Sequence, residues 1–290
     1  MRKSFSGQVF DYCNHIFLIL FAILTVLPFL YVLAGSLAAP EIWYRNDFVL
    51  FPTKFSFEGY QYIFSSAILP RSLITTIVIT VVGTFVNVLM TSLMAYPLAQ
   101  RELDGRNAIM FLVLFSMLFS GGMIPTYLIV KYVGLLNTYW SLIVPGAISA
   151  FNLIITKNFF QRLEEGLIES ARIDGCHELG ILFRIVMPLS TPILATFTLF
   201  YAVGHWNTFF SAILYINDAY KWPVQVWLRQ IVILSQGGLH DNEYLYDNVV
   251  PPPEIVKMAV IVVTTAPIML VYPFLQKYFA KGLLLGSVKG

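Results

Sequence analysis

"ESARIDGCHELGILFRIVMPLS", residues 169–190, carries Glu169, Arg172, Asp174, Glu178 and Arg184 with His177 among them. The chain on either side is apolar and almost free of charge. Of 290 residues, 58% are hydrophobic and only 12% charged, where soluble domains carry about a quarter charged residues. Long uncharged apolar runs recur along the whole length, which makes this an all-α polytopic membrane protein rather than a soluble domain with an anchor. The net charge of +2, from 18 basic and 16 acidic residues, excludes the basic field that nucleic-acid binding requires. Cys13 and Cys176 fall on the side assigned below to the cytoplasm and are expected to be free thiols.

A bilayer-spanning helix needs about 20 apolar residues. Six segments qualify, near residues 16–37, 73–99, 108–130, 140–160, 189–216 and 255–279. The first follows Arg2 and Lys3, yet its apolar core is longer than the ~7–15 residues of a signal sequence, so it is read as a retained helix. With the N-terminus inside, eleven Lys and Arg face the cytoplasm and seven face outward, which places both termini and residues 161–188 in the cytoplasm. Pro28, Pro145, Pro267 and Pro273 are read as packing irregularities. Pro125 in "SGGMIPTY" is read as a hinge loosened by Gly121 and Gly122.

None of the six cores carries Asp, Glu, Lys or Arg away from its ends. Proton- and ion-driven carriers bury such groups, so their absence points to an energy source outside the chain. There is no H-E-x-x-H motif and no G-x-x-x-x-G-K-[ST] phosphate loop, and no nucleophile–base or metal-ligand set that would make an enzyme. His205, the only histidine within a span, reads as a hydrogen-bonded packing residue.

Within the charged stretch, Leu163, Leu167, Ile168 and Ala171 recur at helical spacing, as do Leu179, Leu182, Phe183 and Val186. Asp174-Gly175 between them is a turn dipeptide, and Pro188 closes the second segment. The pattern predicts two short amphipathic helices joined by a tight elbow. Such a pair can lie on lipid headgroups or dock on a protein. Mixed charge favours the protein, since Glu164, Glu165, Glu169, Asp174 and Glu178 oppose Arg162, Arg172 and Arg184, whereas lipid-binding faces are rich in Lys and Arg. The small residues Ser170, Ala171, Gly175 and Cys176 permit close approach.

"ESARIDGCHELGILFRIVMPLSTP" resembles the EAA loop of ATP-binding-cassette importer permeases, with Ser170 and Cys176 standing where the pattern has alanine. "VVGTFVNVLMTSLMAYPLAQRELDGRN", "HWNTFFSAILYIND" and "QKYFAKGLLLGSVKG" are similar to segments of carbohydrate-importer permeases, so the resemblance covers nearly the whole chain. "GGMIPTYLIVKYVGLLNTYWSLIVP" is closest in kind to the LplC-like members of the MalG-like group. These are associated with oligosaccharides from polysaccharides, including plant cell-wall fragments and alginate.

The resemblance implies a type I ABC importer fold, with residues 1–290 as a single permease domain. Its partners would be a homologous second permease subunit, two ATPase subunits and an extracytoplasmic solute-binding protein. ATP and Mg²⁺ would be bound by the ATPase subunits, with no cofactor or metal in this chain. Glu169, Ser170, Ala171, Asp174 and Gly175 would form the ATPase-coupling elbow, with Leu182 and Phe183 packing into the ATPase cleft. Tyr201, His205, Trp206 and Asn207, with Asn152, are candidates for contact with a carbohydrate, which stacks on aromatic rings and bonds to amides. Trp206 reads equally as a packing anchor. Gly237, Gly238, Asp241 and Tyr244 lie in a long polar loop, residues 234–254, that would contact the binding protein. The tail Leu285–Gly290 would either touch the ATPases or fray. The rival reading, a self-contained carrier or channel, would need no ATPase.

Overall fold

In the computed structural model the described residues are 5–43, 50–236 and 252–287. They are helical, and the extended pairing among them is a single antiparallel bridge between Ala38 and Phe55. In chain order the helices are α1 (Phe5–Ser36), α2 (Pro40–Trp43), α3 (Glu58–Ser65), α4 (Ile68–Ala99), α5 (Arg106–Leu118), α6 (Met123–Tyr132), α7 (Trp140–Ile143) and α8 (Ala150–Phe160). They continue with α9 (Glu165–Ile173), α10 (Glu178–Ile181), α11 (Met187–Leu189), α12 (Thr191–Trp206), α13 (Phe210–Tyr215), α14 (Val224–Gln236) and α15 (Pro253–Ser287).

Three of the six expected spans are single long helices, in α1, α4 and α15. Their internal prolines, Pro28, Pro97, Pro267 and Pro273, do not interrupt them. The α4 helix has 32 residues, about 48 Å at 1.5 Å per residue, and so exceeds the ~30 Å hydrocarbon core. The other three spans are broken. The α5–α6 pair bends by 120° and the α7–α8 pair by 54°; the fifth span is interrupted within itself, and Glu178–Leu189, the segment leading into it, meets α12 at 86°.

The causes are local. The first break falls at Phe119–Gly122, where Gly122 has φ +84°. Pro125 sits in the first turn of α6, where its missing N–H has no intrahelical role, so the glycines rather than the proline set the bend. In the second break a 3₁₀ turn at Val144–Gly146 ends the first arm. Ser149 then caps α8, its side-chain oxygen accepting from Asn152 N. The expected span 189–216 is likewise interrupted after Trp206, and α13 begins at Phe210.

The chain forms two compact units. The first joins Met1–Pro70 to Leu228–Ala266, the second Arg71–Trp227 to Pro267–Gly290. In the first unit the end of α1 is fastened by a Ser36–Tyr60 hydroxyl pair at 2.7 Å and by Trp43 Nε1, which donates to Gly35 O at 3.2 Å. Gly59 lets α3 approach α15 closely; a Cβ there would sit 2.7 Å from Ile255 Cγ2.

The second unit has two apolar clusters. One gathers Ala95, Tyr96, Leu98, Leu153, Phe160, Ala171, Ile181, Leu182 and Val186 around the residue 161–190 segment. The other gathers Ile79, Val130, Leu142, Ala212, Tyr215, Ile216 and Val226. Beside the latter, Asn137 adopts φ +59°. This lets its Oδ1 accept from Asp218 N at 3.1 Å while its O accepts from Lys221 Nζ at 2.9 Å.

Candidate functional site

The elbow forms because α9 ends in a Schellman motif. Gly175, at φ +81°, donates its N–H to Arg172 O at 3.0 Å, and Cys176 N donates to Ala171 O at 2.9 Å. That pairing satisfies the last carbonyls of α9 and turns the chain sharply. No atom lies within 4 Å of where a Gly175 Cβ would be, so the demand for glycine comes from backbone handedness and not from space. After the turn the chain resumes as α10, passes through a π-helical turn at Leu182–Val186 and continues into α11. The π turn, like others found at functional sites, re-phases the side chains around it.

The burial pattern corrects one part of the sequence reading. Leu182 is only 1% exposed and packs with Ile181 and Val186 in the chain's own core, so its surface is already used and it cannot fill a cleft on another subunit. Phe183, one residue on, is 45% exposed. The apolar side chains on the outer surface of the elbow also include Ile173, 85% exposed, together with Leu167 and Leu179. Ala171 is buried, and Ser170 Oγ donates back to Gly166 O at 2.7 Å. The side chains of Glu169 and Asp174 stand exposed, with no hydrogen bond or ion pair among the described residues.

Beside the elbow lies a cleft of about 170 Å³, lined among others by Tyr96, Arg101, Phe160, Glu165, Glu169 and Arg172. Three charged or polar groups meet at its side. Arg172 Nε donates to Glu178 Oε1 at 2.8 Å, and the Tyr96 hydroxyl donates to Glu178 Oε2 at 2.6 Å. The Arg172 bond, and secondarily the Tyr96 bond, hold the Glu178 carboxyl below its ordinary value against the opposing effect of partial burial. Sequence reasoning counted Glu178 and Arg172 only as charges of the elbow and passed over Tyr96. Tyr96 and Glu178 lie 82 positions apart, and no local pattern relates them.

The candidate solute residues fall into a different setting. Tyr201 and His205 lie one turn apart on α12, facing Thr91 and Asn87, one turn apart on α4. The hydroxyls of Tyr201 and Thr91 are 2.9 Å apart, and Ser149 N donates to Tyr201 Oη at 3.2 Å. Asn87 Nδ2 donates to Gly146 O at 2.7 Å, leaving its Oδ1 facing His205 Nε2 at 3.0 Å. Trp206 and Asn152 are buried. Of the candidates only Asn207 is exposed; its Nδ2 donates to Val203 O at 2.9 Å and its Oδ1 accepts from Gln225 Nε2 at 3.4 Å. The structure therefore joins Tyr201 and His205 in a buried seam between α4 and α12, and does not gather the five candidates on one open surface. Gly237, Gly238, Asp241 and Tyr244 lie outside the described residues. Among the described residues no three His, Cys, Asp or Glu side chains are grouped to hold a metal ion.

Residues 105–284, which contain the elbow, the broken spans and the α12 side of the seam, match the family described as the inner membrane component of binding-protein-dependent transport systems. The chain belongs to this family. It is 56% identical over 284 residues to the polygalacturonan/rhamnogalacturonan transport system permease protein YtcP of Bacillus subtilis (strain 168), covering 98% of this chain and 99% of the relative. It is 56% identical over 290 residues to protein LplC of the same organism, covering 100% and 98%. A solved structure of a bacterial ABC transporter involved in the import of the acidic polysaccharide alginate has a chain that superposes with a TM-score of 0.87. The two are 30% identical, and the match covers 96% of this chain and 99% of that one. The mostly helical permease fold and membrane location expected from the sequence follow from this membership, which places the chain in the inner membrane. Burial of the seam and exposure of the elbow are thus features of a transport permease.

Proposed function

We propose that this chain is one of two different permease subunits of an ATP-driven importer for oligosaccharides released from polysaccharides, acidic plant cell-wall fragments foremost. The relatives carry that substrate reading, since one is named for polygalacturonan and rhamnogalacturonan and the structural neighbour for alginate. The termini and the elbow face the cytoplasm. There Glu169, Asp174 and the exposed Ile173 and Phe183 dock on an ATPase subunit, which binds ATP and Mg²⁺ and performs all the hydrolysis. Closure of the ATPase pair moves the permease bundle between inward- and outward-open states as rigid bodies. The loop that holds Gly237, Gly238, Asp241 and Tyr244 meets the extracytoplasmic solute-binding protein.

The observation that carries this reading is the elbow itself, a glycine-set turn that presents unbonded carboxylates beside an 85% exposed isoleucine. Apolar side chains exposed together and rimmed by polar ones mark surfaces that other proteins cover. The test is reconstitution with the partner permease, the ATPase and the binding protein in proteoliposomes. Glu169→Cys, placed in a background without Cys13 and Cys176, should cross-link to the ATPase. Gly175→Trp should abolish uptake of oligogalacturonides while ATP hydrolysis persists. Wild-type uptake by Gly175→Trp, or flux through this chain without any ATPase, would overturn the proposal.

A further inference from the structure

We infer that Tyr96 and Glu178 form a strut through which the elbow drives α4, with Arg172 positioning the strut. This rests on the docking reading above and adds to it a route by which movement of the elbow enters the bundle.

The elbow has covalent connections to α8 and to α12, and both are interrupted. Residues 161–164 between α8 and α9 are not helical, and the chain turns by 86° between α11 and α12. A push on the elbow reaching those spans must pass through joints that can bend. The α4 helix is different, because it is unbroken over its 32 residues. Tyr96 lies in its last turn with the ring buried among Ile181, Leu182 and Val186. Its hydroxyl donates to Glu178 at 2.6 Å.

Glu178 is also bonded across the elbow. Arg172 belongs to α9, before the turn, and Glu178 opens α10, after it. Their 2.8 Å bond closes the two arms into a bracket, and Tyr96 fastens that bracket to α4. Two other ties lie nearby. Gln161 Nε2 donates to Ala99 O at 3.1 Å, but Gln161 precedes α9 and so lies outside the bracket. Arg101 meets Glu165 at 3.9 Å between largely exposed side chains, a long and solvated pair that carries little.

From Tyr96 upward, α4 is bonded successively to its neighbours. Thr91 meets Tyr201, Asn87 meets His205 and Gly146, and Thr76 Oγ1 accepts from Val224 N at 2.8 Å at the far end of the seam. A displacement delivered at Glu178 therefore reaches α12, the α7–α8 break and the start of α14 through one rod.

Tyr96→Phe removes one hydroxyl and keeps the buried ring. In the reconstituted transporter, its solute transported per ATP hydrolysed should fall roughly tenfold or more, the scale of one hydrogen bond to a charged group. Introduced beside Glu169→Cys, it should leave the cross-link to the ATPase at the level of the parent carrying Glu169→Cys alone. Glu178→Gln, which keeps an acceptor for Tyr96 but loses the ion pair, should fall less than Glu178→Ala. The double variant Tyr96→Phe/Glu178→Ala should be no worse than Glu178→Ala alone. Unchanged transport per ATP in Tyr96→Phe would overturn the strut while leaving docking intact. Loss of the cross-link in Tyr96→Phe would reduce Tyr96 to a structural support and overturn it too. Absence of the cross-link in the parent complex would remove docking and the strut together.

Discussion

At the elbow, the side chains of Glu169 and Asp174 stand in the open with no bond to the rest of the described chain, whereas Asn87, Thr91, Tyr201 and His205 are buried and each is paired. Both regions put polar side chains into a molecule that is otherwise greasy. In the seam, a polar group without a partner would be costly, since the bilayer offers no water to replace the lost bond. Pairing across α4 and α12 therefore fixes the register of two helices. At the elbow, exposure removes that cost and leaves bonding capacity free for another molecule. The same residue types thus form internal cement in one place and an open, unbonded surface in the other, and burial together with pairing distinguishes them.

The largest expected effect lies in the seam. A Cβ at Gly83 would sit 2.5 Å from His205 Nε2, and His205 is held there by its bond to Asn87. Gly83→Ala should lower stability in detergent by about 1–3 kcal/mol, as for overpacked cores. His205→Ala should be less harmful in the Gly83→Ala background than alone, because it removes the clash. Wild-type melting of Gly83→Ala would mean that the seam is loose and that the contrast with the elbow is overstated.

A smaller effect follows from Asn87→Leu, which leaves Gly146 O without its donor and removes the oxygen that faces His205 Nε2. The loss should be about 1 kcal/mol, between the ~0.6 average of hydrogen bonds measured within membranes and the ~1–3 of an orphaned buried group. By contrast Glu169→Ala should change stability by less than about 0.5 kcal/mol, as surface substitutions do. Equal losses in the two variants, read by thermal unfolding in the same detergent, would dissolve the comparison.

The sequence made the elbow legible and left the seam hidden, for physical reasons. Asp174-Gly175 between two apolar periodicities is a local signal, and the Schellman turn it predicts is formed by atoms within six residues. The glycine pair at 121–122 was likewise visible, although the break belongs to Gly122 and not to Pro125. What periodicity could not tell was which apolar residues of the second arm turn inward. Leu182 and Phe183 share one helical face in the sequence, and the π turn with the packing of Tyr96 buries the first and leaves the second half out. Pairs such as Asn87–His205 and Tyr96–Glu178 are separated by 118 and 82 positions, so only the fold brings them together. The aromatic and amide content of α12 pointed toward solute chemistry, but Tyr201 and His205 bond to α4, and Tyr201 to Ser149 as well.

The smallest effect sharpens the boundary between the two regions, because Glu178 belongs to both: it is part of the elbow, yet it is paired. Its carboxyl is held below its ordinary value by Arg172 first and by Tyr96 second. A depressed carboxylate contributes stability that is fully present above its unfolded value and is lost as pH falls through the folded one. The stability difference between the parent protein and Glu178→Gln should accordingly be constant from about pH 8 to pH 5. It should shrink as pH drops below about 4.3, where glutamates of the unfolded chain take up protons. The side chains of Arg172 and Glu178 are 39% and 55% exposed, so solvent screens the pair and added salt should reduce the difference further. A difference that instead grew on acidification would mean that the protonated carboxyl is the better partner. Tyr96 and Arg172 would then not be donating to an ionised Glu178, and the bracket across the elbow would rest on packing alone.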